Sequence, residues 1–172
     1  MLDIALEADA EWDSSNWLDL AREAATSAIA ESAFPRLGQG ARTVELGVRL
    51  TNDAEVRALN AEWRGKDMAT NVLSFPLAEA DEFDDASPSG PELLLGDIVL
   101  ARGVCAAEAA DKAISIEHHA SHLLVHGTLH LLGYDHHDDD AATDMEAREI
   151  RALARLGIAD PYRPLPAVED AR

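Results

Sequence analysis

The sequence predicts an α+β fold in a single domain spanning residues 1–172, and three observations support this. The length of 172 residues is within the usual size of one domain. Segments with strand character fall mainly in the first two thirds of the chain, and helical segments dominate the last third. No internal repeat interrupts this order. The separation favours a small, partly mixed sheet packed with helices.

The first part of the chain contains candidate elements of both types. Residues 2–6 are a possible edge strand, and residues 15–31 have the periodicity of an amphipathic helix. Residues 43–50 (TVELGVRL) are β-rich and partly alternating, which is typical of a strand. The helix-capping types Thr51, Asn52 and Asp53 follow, so a helix is expected over residues 53–63.

Two further strands flank a long acidic segment. The strands are expected over residues 71–75, ending before Pro76, and over residues 93–100, which are apolar enough to be buried. Residues 78–92 between them are acidic and rich in Pro, Gly and Ser, so they are interpreted as a mobile surface loop.

The last third of the chain has helical patterns. Helices are expected over residues 101–112, 115–132 and 141–156, with a short tail from residue 163 to residue 172. Met145 and Glu149 share one face of the last helix, where Met145 is expected in the core. The run Asp138–Asp140 is interpreted as a solvated helix start, where negative charge suits the helix dipole.

Composition points to a soluble globular protein, with 47% hydrophobic and 27% charged residues. The chain begins without a basic segment followed by an apolar run, and no apolar stretch reaches the ~18 residues of a membrane span. The single cysteine, Cys105, cannot form an internal disulfide and is expected to be a small buried residue. A cytoplasmic protein with no membrane partner is therefore predicted.

The net charge of −19 comes from 33 acidic and 14 basic residues. Such an excess repels nucleic acid over most of the surface. A nucleic-acid partner therefore requires a local basic patch that overrides the global sign.

The histidines carry the strongest functional signal, because all seven fall between residues 118 and 137. In the segment HGTLHLLGYDH, His126 and His130 are four residues apart and project from one face of a helix. Gly133 can adopt the left-handed conformation that ends a helix, so the chain can return His136 to the same ion. Three neutral imidazoles leave a fourth position open for water, as in catalytic zinc sites. Such an ion supplies hydroxide at neutral pH.

This spacing equals that of the metzincin proteases, but Gly127 occupies the place of their general-base glutamate. The pattern therefore favours the metal site and does not support peptidase chemistry. His122 is one turn before His126 and could be an alternative ligand or a partner of a ligand, but we expect a partly buried, hydrogen-bonded histidine. His118, His119 and His137 are expected to be solvated.

The segment from His126 to His136 resembles the signature of the YbeY family, the metal-dependent endoribonucleases and ribosomal RNA maturation factors of bacteria. Residues 59–76 (LNAEWRGKDMATNVLSFP) resemble a second block of that family, and residues 96–98 (GDI) and 156–162 (LGIADPY) also fit. The resemblance covers roughly residues 45–162. Trp63, where an aromatic or other large residue is usual, and the long acidic loop are modest departures.

The resemblance implies a zincin-like fold with one ion on a helix in the C-terminal half. It implies His126, His130 and His136 as the metal ligands, with Zn2+ as the expected ion, although three imidazoles also suit other divalent transition metals. It also implies a catalytic role for Arg64, whose guanidinium can bind phosphate oxygens in a fork.

Two supporting features stay open in the sequence. Lys66, with Arg42, Arg49 and Arg57, could form the basic patch that the net charge requires. Asp135 either orients a ligand imidazole or, as we expect, is a surface turn residue.

The leading hypothesis is a metal-dependent endoribonuclease specific for single-stranded RNA. The resemblance adds a role in ribosomal RNA maturation, at the 3′ end of 16S rRNA, and in ribosome quality control, with the ribosome or its small subunit as partner and no DNA target. One alternative is a metallohydrolase for another substrate class, such as a peptide or a small phosphoester. The other is a non-catalytic ribosome assembly factor whose metal stabilises the fold.

Overall fold

The computed structural model describes residues 1–12, 15–83 and 92–163. These residues form four strands, five α-helices and one short 3-10 helix. The strands are β1 (Leu2–Ala8), β2 (Val44–Thr51), β3 (Val72–Pro76) and β4 (Leu93–Ala101), and the helices are α1 (Trp17–Ala30), α2 (Asp53–Arg64), α3 (Arg102–Asp111), α4 (Ile116–Leu131) and α5 (Asp139–Arg155). The predicted α+β class is confirmed, and each predicted helix and strand is present with ends shifted by at most two residues.

The four strands form one mixed sheet in the order β1-β2-β4-β3. β1 and β4 both run parallel to β2, whereas β3 pairs antiparallel with β4. The prediction that β3 ends before Pro76 is wrong, because Pro76 lies within the strand opposite Gly96. β3 is an edge strand, where a residue without an N–H is tolerated.

The two faces of the sheet are covered by different helices. On β4, Ile98 and Leu100 belong to the main core, whereas Val99 and Ala101 belong to a smaller cluster with Val56 of α2. Because successive strand residues point to opposite faces, α2 covers one face. α1 and α4 pack together over the other face, with α3 and α5 against them. α4 is thereby held between the sheet and α5.

The predicted acidic loop is partly anchored. Ala80–Phe83 forms the 3-10 helix, and Phe83 is buried with its ring centroid 5.1 Å from that of Phe34. A phenylalanine in an otherwise acidic segment gains by leaving water, so this part does not behave as a free loop. Residues 84–91 of the loop and 164–172 of the tail lie outside the described residues.

Two residues that the sequence placed in the core are buried in the structure. Cys105 and Met145 are fully buried, as expected. Burial raises the pKa of the Cys105 thiol to about 12, so this cysteine stays protonated and unreactive. Across the described part of the chain, no helix has the length and apolarity needed to cross a membrane.

Candidate metal centre

Helix α4 carries the histidine cluster and lies very close to the sheet. Its N-terminus is capped by Ser115, whose side chain accepts a hydrogen bond from the His118 N–H. Further along, a Cβ placed on Gly127 would lie 3.0 Å from Ile98 of β4. A side chain at position 127 would therefore be directed against the sheet, where there is no room for a glutamate.

His126 and His130 project from one face of α4, as predicted. Their Nε2 atoms lie 3.0 Å apart. The Nδ1 of His126 lies 2.8 Å from a carboxylate oxygen of Glu149, and the Nδ1 of His130 lies 2.8 Å from the Tyr134 carbonyl oxygen. Each ring is thus hydrogen-bonded through its Nδ1 atom, and the two Nε2 atoms face each other.

The turn after α4 brings His136 to the same point. Gly133 has φ = 101°, and the Tyr134 N–H donates to the Leu129 carbonyl, which ends the helix as expected. The His136 ring centroid lies 5.0 Å from that of His126 and 5.2 Å from that of His130. One ring nitrogen from each of the three residues lies within 4.8 Å of the others.

Two neighbouring residues stabilise this turn. The Tyr134 hydroxyl accepts a hydrogen bond from the Ala33 N–H, at 2.9 Å. The Asp135 carboxylate accepts one from the His136 N–H, at 2.7 Å, and this hydrogen bond lowers the pKa of Asp135. Asp135 therefore acts as an exposed turn residue, which is the interpretation the sequence favoured.

The chemistry of the three rings fits a divalent transition metal. The acceptors behind His126 and His130 require a proton on each Nδ1, so in the neutral rings both Nε2 atoms carry a lone pair. Burial, with the neighbouring His126, lowers the pKa of His130 to about 4, which keeps its ring neutral at pH 7. Two lone pairs facing each other at 3.0 Å repel unless a cation lies between them. Nitrogen ligands at ~2.0–2.1 Å from a tetrahedral zinc lie about 3.3 Å apart, close to this separation.

Arg64 lines the same cavity as the histidine pair. It ends α2, after which Gly65 adopts the left-handed conformation with φ = 69°. Its Nη2 donates to the Ser74 carbonyl oxygen of β3, at 2.8 Å, and its guanidinium carbon lies 5.9 Å from the Phe75 ring centroid. The cavity has a volume of about 380 Å³. Its lining includes Arg64, His126, His130 and Asp135, together with Val72, Ser74 and Pro76 of β3.

Glu149 contacts the histidine cluster, which the sequence patterns did not predict. This residue of α5 is fully buried, and its carboxylate contacts His122, His126 and the hydroxyl of Tyr162. Burial alone raises the pKa of Glu149, but these hydrogen bonds outweigh burial and lower it to about 2. A signal was present, because Glu149 stands on the buried stripe of α5 with Met145, Ala152 and Leu153. A charged residue on such a stripe requires a partner.

The remaining histidines divide between core and surface. His122 is buried and hydrogen-bonded, as predicted, while His118 and His137 are exposed. The prediction for His119 is wrong, because only 1% of this residue is exposed. Its Nε2 lies 2.8 Å from Glu108, so packing of α3 against α4 supplies both its burial and its partner.

Two of the four residues of the predicted basic patch, Arg49 and Arg57, are already paired with carboxylates. Arg49 pairs with Asp9 and Glu55, and Arg57 pairs with Asp67. These two guanidinium groups are locally neutralised and do not offset the negative surface. Among residues 1–12, 15–83 and 92–163, no carboxylate pairs with Arg64.

The fold and the site together define an α+β protein with a three-histidine cluster that could hold a metal ion. A family model described as Endoribonuclease YbeY matches residues 5–157. The chain belongs to the YbeY family.

Curated relatives support this assignment over nearly the whole chain. The protein named Endoribonuclease YbeY from Sphingopyxis alaskensis is 52% identical over 164 residues, which cover 94% of this chain and 98% of the relative. Its namesake from Rhizorhabdus wittichii is 51% identical, with 94% and 97% covered. The solution structure of TM1509 from Thermotoga maritima superposes with a TM-score of 0.52 at 20% identity, covering 95% of this chain and 100% of that one. That likeness supports the fold alone.

Proposed function

We propose that this protein is a zinc-dependent endoribonuclease that hydrolyses phosphodiester bonds in single-stranded RNA. The observation that carries the proposal is the opposed pair of Nε2 atoms on His126 and His130, in one cavity with Arg64. The names of the relatives supply the reaction class.

His126, His130 and His136 would hold the ion. Hydrogen bonds behind two of the rings restrict their rotation, so the ligands are arranged before the ion binds. A zinc ion held by three imidazoles acts as a Lewis acid and provides a nucleophile at neutral pH. Zn2+ is the proposed ion because of this ligand set, which other divalent transition metals share.

Arg64 would bind the scissile phosphate. Hydrolysis places additional negative charge on the non-bridging oxygens, and a guanidinium can donate two parallel hydrogen bonds to them. One N–H of Arg64 is held by the Ser74 carbonyl, which fixes the plane of the guanidinium beside the histidines. The remaining N–H groups are then available without a large loss of side-chain entropy.

The size of the cavity supports single-stranded RNA as substrate. A volume of about 380 Å³ lies near the lower end of the range for small-molecule sites, roughly 300–1,000 Å³. An unpaired nucleotide can be splayed out of the strand and enter such a space, whereas a base-paired nucleotide is held in the helical stack. Val72, Ser74 and Pro76 of the edge strand β3 form one wall, and an RNA strand would lie along it.

We extend the proposal to ribosomal RNA maturation, including the 3′ end of 16S rRNA, and to ribosome quality control in the cytoplasm. The ribosome or its small subunit would be the partner. Support comes from the resemblance of residues 45–162 to the family and from the relatives' shared name.

The test is a cleavage assay on matched single-stranded RNA, duplex RNA and peptide substrates, with zinc supplied. Wild type should cleave the single strand, and His126→Ala and Arg64→Ala should not. Arg57→Ala is the matched control, because Arg57 lies on α2 with Arg64 but pairs with Asp67. Equal cleavage by wild type and His126→Ala would assign the activity to a contaminant. Turnover of peptide without RNA cleavage would favour a different metallohydrolase.

A further inference from the structure

Glu149 connects the histidine cluster to the segment that follows α5. None of its surface is exposed, and a buried carboxylate is costly unless it is fully hydrogen-bonded. Its two oxygens have different partners. Oε2 lies 2.8 Å from Nδ1 of His126, whereas Oε1 lies 2.8 Å from Nε2 of His122 and 2.6 Å from the Tyr162 hydroxyl.

This division of partners has a geometric consequence. The two groups at Oε1 fix the plane of the carboxylate, so Oε2 is directed at His126. A carboxylate can only accept, and His126 must therefore carry its proton on Nδ1 and present an unprotonated Nε2 toward His130.

Tyr162 reaches Glu149 because the chain reverses after α5. Gly157 adopts φ = 76°, and the Ile158 N–H donates to the Leu153 carbonyl at 3.0 Å. The Tyr162 N–H donates to the Asp160 carboxylate, at 2.8 Å. Tyr162 as a residue is 42% exposed, yet its hydroxyl donates inward to the Glu149 carboxylate.

We propose that Glu149 is a positioning residue that fixes the tautomer and orientation of His126, and that Tyr162 holds the Glu149 carboxylate in place for this purpose. This inference rests on the proposed metal site. It adds that metal binding depends on the segment Gly157–Tyr162, which places the Tyr162 hydroxyl against Glu149. The integrity of the metal centre thereby requires a residue well beyond the histidine motif. A merely structural role would change stability alone and leave both the metal affinity of folded protein and the His126 tautomer as they are.

The first measurement is zinc affinity of the full chain by competition with a chromophoric chelator. Glu149→Gln should weaken zinc binding by about 10- to 100-fold, the usual cost of removing a partner of a metal ligand. Tyr162→Phe should weaken it in the same direction by a smaller factor. Asp144→Asn, an exposed carboxylate on the same helix that pairs with Arg148, is the matched control and should bind zinc as wild type does.

The second measurement is the tautomer of His126, read from long-range proton–nitrogen NMR correlations of the imidazole in metal-free protein. Wild type should show a single form with the proton on Nδ1. A glutamine at position 149 offers both a donor and an acceptor, so Glu149→Gln should show a mixture of tautomers. If Glu149→Gln does not fold, the same NMR measurement on Tyr162→Phe tests the proposal. This variant keeps the aromatic ring and removes only the hydroxyl that contacts Glu149.

The outcomes separate this inference from the proposed function. If wild type binds no zinc, the metal site itself is wrong. If wild type binds zinc and His126→Ala does not, but Glu149→Gln and Tyr162→Phe keep wild-type affinity and a single tautomer, the positioning role is wrong and the metal site stands.

Discussion

The Nε2 atoms of His126 and His130 face each other at 3.0 Å, and each ring is fixed by an acceptor behind its Nδ1. Spacing of four residues on α4 explains why the rings are neighbours. It does not explain why both lone pairs point inward, which comes from Glu149 on one ring and the Tyr134 carbonyl on the other. The two rings are thus held with both lone pairs facing each other, as part of a cluster that could hold a metal ion.

The contact of α4 with the sheet predicts that Gly127→Ala destabilises the protein. Alanine has the higher helix propensity, by about 1 kcal/mol. Its Cβ would lie 3.0 Å from Ile98, however, and overpacking typically costs about 1–3 kcal/mol. We expect a net loss of stability in denaturant unfolding.

The matched test is Ile98→Val, made both in wild type and in Gly127→Ala. This substitution removes the Cδ1 atom, one of the Ile98 atoms in the close contact. The double variant should recover part of the loss, giving a favourable coupling energy. A Gly127→Ala protein as stable as wild type would show that α4 has room to move.

Arg64 should act through the geometry of its guanidinium as well as its charge. Arg64→Ala should lower kcat by about 10²- to 10³-fold, the range for losing one preorganised donor at a developing oxyanion. Arg64→Lys keeps the charge but loses the fork, and it should restore only part of the rate. Single-turnover cleavage of a short RNA measures both effects, and full activity of Arg64→Lys would show that charge alone suffices.

RNA binding should depend weakly on salt. The net charge is −19, and Arg49 and Arg57 are already paired with carboxylates. For one or two phosphate contacts, the slope of log K against log salt concentration is about −0.7 to −1.4. The measurement uses the cleavage-deficient His126→Ala variant and a fluorescent single strand. A slope several times steeper would contradict the expectation and would show that more basic residues contact the RNA phosphates.

The C-terminal end of α1 should make stability depend on pH. Glu31 accepts hydrogen bonds from Arg151 and Arg155 of α5, and these lower the pKa of Glu31. Since the pKa is lower in the folded state, the stabilisation is present above the unfolded-state pKa and is lost as pH falls through the folded-state pKa.

Glu31→Gln should therefore reduce stability at pH 7 by on the order of 1 kcal/mol. The difference from wild type should disappear in acid, where the Glu31 carboxyl is protonated in both states. Glu23→Gln, an exposed position on α1, is the control. A difference that persists unchanged at low pH would rule out the charge pairing as its cause.

Sequence patterns predicted the elements well because each depends on local signals. The alternation in β2, the Asn52 cap of α2 and the Gly133 terminus of α4 are all encoded within a few residues. The same applies to His126 and His130, whose spacing matches one helical turn.

The features that were missed depend on which elements pack together. Glu149 is 23 residues from His126 along the chain and meets it only because α5 lies against α4. His119 is solvated on an isolated helix but buried once α3 covers it. The placement of β4 between β2 and β3 is likewise a result of long-range pairing. Of the three, only Glu149 left a sequence signal, as a charge on a buried stripe.

The most direct test of the central claim is the metal content of the purified protein, measured by mass spectrometry on wild type and His130→Ala. Both proteins are prepared without affinity tags or chelators, and folding is checked by circular dichroism. We expect about one equivalent of a divalent transition metal in wild type and its loss in the folded variant. A folded wild-type protein that takes up no ion even with added zinc would contradict the metal centre, and with it the proposed chemistry.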